Sequence, residues 1–215
     1  MRTISAHDFL PRSAAQALGA DEIHVWLFPE WPNAKDSADS SRVRRWLADY
    51  EGRDAADLRI ERGAEGKPFL ADSTLRFNLS HSRGALALAI ARDLDIGIDI
   101  ENADRPRRAL DLAERWFHPS EVATLAALDG PARAAAFIHL WCCKEALLKA
   151  TGSGIANGLS RAVFRLDDAG RVSGFGEGNA IDDYRFVQLE PAAGLIGALA
   201  WRGGEKRVKV FRYAQ

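Results

Sequence analysis

The apolar positions fall in short blocks whose spacing changes along the chain. Ile23 to Phe28 is an apolar run closed by Pro29 and predicts a strand. Glu30 to Ser41 is polar and predicts a loop leading into a helix. In that helix Val43, Trp46, Leu47 and Tyr50 recur at spacings of three and four, and Gly52 ends it. Leu58 to Glu61 suits an edge strand, Gly63 and Gly66 mark turns, and Phe77 to Ser80 suits a short strand. Ala85 to Ala91 is apolar throughout and fits either a buried strand or a helix segment. Ile96 to Glu101 alternates cleanly and is the clearest strand in the chain.

Asn102 to Arg108 is charged and contains Pro106, so we place a boundary there, between an N-terminal half over 1–102 and a C-terminal half over 103–215. The second half opens with a helix over Ala109 to Trp116. His118-Pro119-Ser120-Glu121 is a helix start, with proline in the first turn and an early glutamate. Pro131 opens a longer helix that reaches about Ala150 and is closed by Gly152 and Gly154. Strands are expected over Ala162 to Leu166, Val172 to Phe175, Tyr184 to Glu190, Leu195 to Trp201 and Val208 to Tyr213. Each half mixes strands and helices, which predicts an α+β fold.

The composition is that of a globular protein: 215 residues, 47% hydrophobic and 27% charged. With 29 basic and 30 acidic residues the net charge is −1, which argues against nucleic acid as a partner. The two cysteines, Cys142 and Cys143, are adjacent, so neither a disulfide framework nor a cysteine-built zinc site is expected. The first ten residues lack the apolar core of a secretory signal, and the longest apolar stretch, Ala85 to Ala91, is too short to span a bilayer. These features predict a cytoplasmic protein with no membrane partner.

Four segments carry candidate chemistry. In Ile96-Gly97-Ile98-Asp99-Ile100-Glu101 the isoleucines share one face of a strand, and Gly97, Asp99 and Glu101 share the other. Two carboxylates so placed can share a hard cation, and Gly97 is expected to leave their face open; a solvated edge is the other reading. In Trp141-Cys142-Cys143-Lys144-Glu145-Ala146-Leu147-Leu148-Lys149, Glu145 and Lys149 lie one turn apart, which by itself also describes a surface ion pair. Phe77-Asn78-Leu79-Ser80-His81-Ser82 offers three donors suited to a phosphate, or a turn with local side-chain caps. Gly66-Lys67-Pro68 holds a lysine in a stiff turn that could meet an anion.

In this order and spacing, G-K-P, F-N-x-S-H-S, G-I-D-I-E and W-x-x-K-E-A-x-x-K resemble the surfactin type of 4′-phosphopantetheinyl transferase, and Gly152-x-Gly154-Ile155 is similar to the next segment in that family. The resemblance implies two similar α+β halves related by pseudo-twofold symmetry, with the active site between them. It implies transfer of phosphopantetheine from coenzyme A to a serine of an acyl or peptidyl carrier protein, with Mg²⁺, by a monomer. By motif, Asp99, Glu101 and Glu145 correspond to the Mg²⁺ carboxylates. Lys149 corresponds to the lysine on the phosphate, and Glu145 also to the base for the carrier serine. Asp99, Glu145 and Lys149 form the catalytic set. Lys67, Pro68, Ser80 and His81, with Lys149, correspond to contacts with the coenzyme, its 3′-phosphate included. Lys144 matches the motif without a role implied.

Pro29 to Ser41 holds few of the basic residues usual in the family, only Lys35; Arg42, Arg44 and Arg45 are the substitutes, or else a solvated helix face. Arg105, Arg107 and Arg108, with Trp116-Phe117, are candidates for the carrier's acidic surface, or else a solvated linker. The rival readings are a Mg²⁺-dependent nucleotide hydrolase using the same carboxylates, and an inactive coenzyme-binding module on the same fold.

Overall fold

A computed structural model describes residues 1–31, 40–104, 108–152, 159–160, 162–167, 170–176 and 183–214. Lys35, Arg105, Arg107 and the Gly154-Ile155 pair lie outside the described residues. The strands are β1 (Arg2–Ser5), β2 (Leu10–Arg12), β3 (Glu22–Phe28), β4 (Ile60–Arg62), β5 (Pro68–Leu70), β6 (Leu75–Ser82), β7 (Ala85–Arg92), β8 (Ile96–Asn102), β9 (Phe164–Leu166), β10 (Val172–Phe175), β11 (Tyr184–Ala192), β12 (Leu195–Arg202) and β13 (Arg207–Tyr213). The helices are α1 (Ser41–Glu51), α2 (Ala109–Trp116), α3 (Pro119–Ala127) and α4 (Gly130–Thr151). The expected α+β class is borne out, and the ambiguous run after Ser82 is a strand. None of the described helices is long and apolar enough to cross a membrane.

Two sheets carry the fold. One has the order β2-β13-β3-β7-β6, the other β1-β11-β12-β8. Each draws a strand from the far end of the chain. β13 lies parallel to both β2 and β3, and β1 lies parallel to β11. The hydrophobic pattern does not reveal β1 and β2, which are too short to show a period.

Alternation along the strands sorts side chains into layers. Ile23, Val25 and Leu27 of β3 and the isoleucines of β8 meet Leu199 of β12 between the sheets. On the outer face of the first sheet, Trp26, Leu88 and Ile90 pack against Val43 and Leu47 of α1. On the outer face of the second, Ala198 and Ala200 pack against Ala146 and Leu147 of α4. The order is helix, sheet, sheet, helix. The helix ends are satisfied locally: the Asp129 carboxylate accepts the Ala132 amide at 2.9 Å, and Gly152 closes α4 at φ +70°.

Inside the first sheet runs a buried polar chain. The Trp26 indole donates to the Tyr50 hydroxyl at 2.6 Å, and Tyr50 lies 2.8 Å from His24 Nδ1. His24 Nε2 lies 3.3 Å from Glu22, which also pairs with Lys209 at 2.8 Å. A hydrogen on Nε2 satisfies every member, with Tyr50 donating to Nδ1 and His24 donating to Glu22.

Candidate active site

β8 is an edge strand of its sheet, paired with β12 on one side. Its other side meets β6, the edge of the first sheet, and side chains close that seam. Asn78 Oδ1 accepts the Ile98 amide at 2.8 Å, and Ser80 Oγ accepts the Ile100 amide at 3.1 Å. Both strands have a period of two, so alternate side chains on one meet alternate amides on the other. The Ser80 hydroxyl then donates to Asp99 Oδ1 at 2.8 Å, and the Ser82 hydroxyl to Glu101 Oε2 at 3.4 Å. His81 sits between them on the opposite face of β6 and is exposed.

The expectation that Gly97 leaves its face open is corrected by the packing. A Cβ on Gly97 would collide with the Ala146 carbonyl and the Ala150 amide. The missing side chain lets α4 lie directly on the β8 backbone. That contact brings the C-terminal part of α4 over Asp99. Lys149 donates to Asp99 Oδ1 at 2.7 Å and to the Ile98 carbonyl at 3.1 Å. Its ion pair therefore runs across the fold to β8, beyond the one-turn pairing that helical spacing suggests.

Glu145 is half-buried one turn earlier. Burial, and next the Asp99 charge, push its carboxyl up to about 7, while Lys149 pulls it back. Glu145 Oε1 and Asp99 Oδ2 are both buried without a hydrogen-bond partner. Two unpartnered carboxylate oxygens are costly unless something cationic meets them. Among the described residues no group of three His, Cys, Asp or Glu side chains could by itself hold a metal ion. Two carboxylates with open positions suit a hard divalent cation whose other positions are filled from outside the protein.

The hairpin of β4 and β5 brings Lys67 to the same place. Gly66, at φ +80°, turns the chain, and the Gly63 amide donates to the Lys67 carbonyl at 3.0 Å. Lys67 Nζ donates to the Ile96 carbonyl at 3.0 Å and the Ala150 carbonyl at 3.1 Å, tying β8 to the end of α4. Burial holds Lys67 down to about 8, against the pull of Asp95. One of its three donors remains for a ligand. A cleft of about 290 Å³ is lined by Lys67, Pro68, Asn78, Glu145, Lys149 and Gly152, among others.

Lys144, next to Glu145, serves a different face of α4. It is fully buried between the Phe117 and Phe164 rings and pairs with Glu121 at 2.8 Å. It also donates to the Leu159 and Ala162 carbonyls. Glu121 in turn accepts the His118 amide at 3.0 Å and the Phe164 amide at 2.8 Å. The sequence shows Glu121 only as a helix-start glutamate; its place opposite Lys144 is a long-range contact.

The other candidates are placed apart. The Arg44 guanidinium donates to the Ala55 and Leu58 carbonyls, and that of Arg42 lies over the Trp31 ring. Arg42 and Arg45 line a separate cavity with Trp31, Trp46 and Tyr213. Phe117 is buried and stacked on Phe137, so of the Trp116-Phe117 pair only Trp116 is partly exposed.

A family model described as the 4′-phosphopantetheinyl transferase superfamily matches residues 95–200. A relative named 4′-phosphopantetheinyl transferase HetI, from a Nostoc species, is 33% identical over 183 residues, which cover 70% of this chain and 77% of that protein. The chain belongs to the 4′-phosphopantetheinyl transferase superfamily. A transferase of Bacillus subtilis named Sfp is 36% identical over 56% of this chain and 53% of its own length. One of Bacillus pumilus, psf-1, is 38% identical over 53% and 48%. The superfamily match contains Asp99, Glu101, Glu145 and Lys149, whereas Lys67, Pro68, Ser80 and His81 precede it.

Proposed function

We propose that this chain, as a monomer, transfers the 4′-phosphopantetheine group of coenzyme A to a serine of an acyl or peptidyl carrier protein. The observation that carries this reading is the pair of buried, unpartnered oxygens on Asp99 and Glu145 beside Lys149, where Glu145 and Lys149 line a cleft with Lys67 and Pro68 and Lys149 bonds Asp99. Asp99, Glu145 and Glu101 would hold Mg²⁺, which when bound neutralises charge on the pyrophosphate.

Lys149 presents its ammonium to the phosphate and stabilises the charge that develops on the departing 3′,5′-adenosine bisphosphate. The carrier serine attacks the β-phosphate, the bond to the leaving oxygen breaks, and the serine proton passes to Glu145 directly or through water. A carboxyl raised toward neutral pH suits that proton transfer. Lys67 and Pro68 line that cleft, Lys67 offers its remaining donor to a phosphate, and His81 is assigned to the 3′-phosphate from the exposed face of β6.

Incubation with coenzyme A, Mg²⁺ and a panel of apo carrier proteins, read by intact mass, tests the reading. One carrier should gain a single phosphopantetheine, and Asp99→Ala and Glu145→Ala should abolish the gain. A chain that consumes coenzyme A without modifying any carrier is a hydrolase, and full transfer by the Asp99 variant removes the metal assignment.

A further inference from the structure

Asp99 presents two unlike oxygens. Oδ1 receives the Ser80 hydroxyl at 2.8 Å and the Lys149 ammonium at 2.7 Å, while Oδ2 is buried with no partner. Ser80 is itself fixed from two sides. Its Oγ accepts the Ile100 amide at 3.1 Å, from the residue after Asp99 on β8. Ser80 is 6% exposed and Asp99 5%, so neither is free to turn to solvent. A carboxylate torsion is broad and roughly two-fold when nothing holds it. Here the bridging hydroxyl and the Lys149 ammonium together remove that freedom and occupy one oxygen.

A serine has one proton to donate, and Ser80 gives it to Asp99. What remains on Oγ is an acceptor lone pair, which does not bind a phosphate oxygen. Ser80 in this arrangement is thus turned away from the coenzyme contact that its motif implies, and toward the carboxylate.

We propose that Ser80 is a positioning residue: its hydroxyl holds the Asp99 carboxylate by Oδ1, so that Oδ2 is the oxygen offered to the divalent cation. Ser80 then acts on cation affinity and not on the grip of the protein on coenzyme A. Ser82 stands in the same relation to Glu101, two residues along both strands, at the longer distance of 3.4 Å. The inference rests on the transferase reading for the place of the cation, and its test does not depend on transfer.

The test is a Mn²⁺ titration of the full chain in the presence of coenzyme A, with free Mn²⁺ read by electron paramagnetic resonance against a coenzyme-only control. Ser80→Ala should weaken protein-bound Mn²⁺ about 10- to 100-fold, the effect seen when a partner behind a metal ligand is removed. Ser80→Thr, which keeps the hydroxyl, should restore it. Affinity for coenzyme A measured without metal should stay within about twofold for both. Should the alanine variant not fold, Ser80→Cys keeps the size with a weaker donor and should show the same direction. Unchanged Mn²⁺ affinity in Ser80→Ala overturns the proposal. So does a loss of metal-free coenzyme affinity, or a wild type that holds no more Mn²⁺ than the coenzyme alone. A wild type that binds Mn²⁺ as expected but modifies no carrier removes the transferase reading and leaves this one standing.

Discussion

Lys149 illustrates how much one side chain depends on its neighbours. By spacing it is one turn from Glu145, a pairing worth a few tenths of a kcal/mol on a helix surface. In the fold it is only partly exposed and bonds Asp99 and the Ile98 carbonyl across the seam to β8. If the charge serves the departing phosphate, Lys149→Ala should lower kcat about a hundredfold, the usual cost of losing a donor aimed at a developing oxyanion. A side chain that only braced α4 on β8 would lower the melting temperature and leave kcat in place, so transfer kinetics and a thermal melt together decide. The roles of Asp99, Glu101, Glu145 and Lys149 as neighbouring polar groups were legible, because strand alternation and helical spacing each put two of them on one face. Ser80 was not legible in the same way. Its motif suits a phosphate equally well, and only the β6–β8 seam shows where its single proton goes.

Between elements, the decisive contact is α4 on β8 at Gly97. The neighbours of a Cβ there are backbone atoms of Ala146, Lys149 and Ala150, which cannot move aside as a flexible side chain would. Gly97→Ala should therefore cost about 3 kcal/mol or more, at the upper end for overpacking, and should lift Glu145 and Lys149 off Asp99. Gly204→Ala is the control: nothing lies within 4 Å of its Cβ position and its φ is not positive, so it should be neutral or slightly stabilising. Equal urea midpoints for the two variants would remove the close-contact account. Helix limits were readable from capping residues and glycines, whereas the sense of Gly97 was not. A glycine beside two acids looks like open space in sequence, and only the partner element shows that it is occupied. The run at Ala85 to Ala91 had the same ambiguity, settled by pairing with β3 and β6.

Across the whole molecule, the buried chain of Glu22, His24 and Tyr50 ties stability to pH. The Lys209 hydrogen bond, against the upward push of burial, holds Glu22 down to about 2, so its contribution is present above about 4.5 and is lost as pH falls toward 2. Burial lowers His24 below its ordinary 6.5, so below that pH the unfolded chain takes up a proton that the folded ring refuses. Both act in the same direction, and the fold should weaken steadily on acidification. One such proton is worth at most about 1.4 kcal/mol per pH unit. His24→Phe should flatten the upper part of that slope and Glu22→Gln the lower part, measured as urea unfolding free energy against pH. Unchanged slopes in both variants would place the acid sensitivity elsewhere. The same sheet has a consequence for how the chain is made. β3 ends at residue 28, and its parallel neighbour β13 begins at residue 207, 179 residues later (207 − 28). At about 5–20 residues per second, a ribosome needs roughly 9–36 s to deliver the second after the first. Throughout that interval Ile23, Val25 and Leu27 belong to a strand with one side unpaired, an edge open to wrong pairing until residues 207–213 emerge.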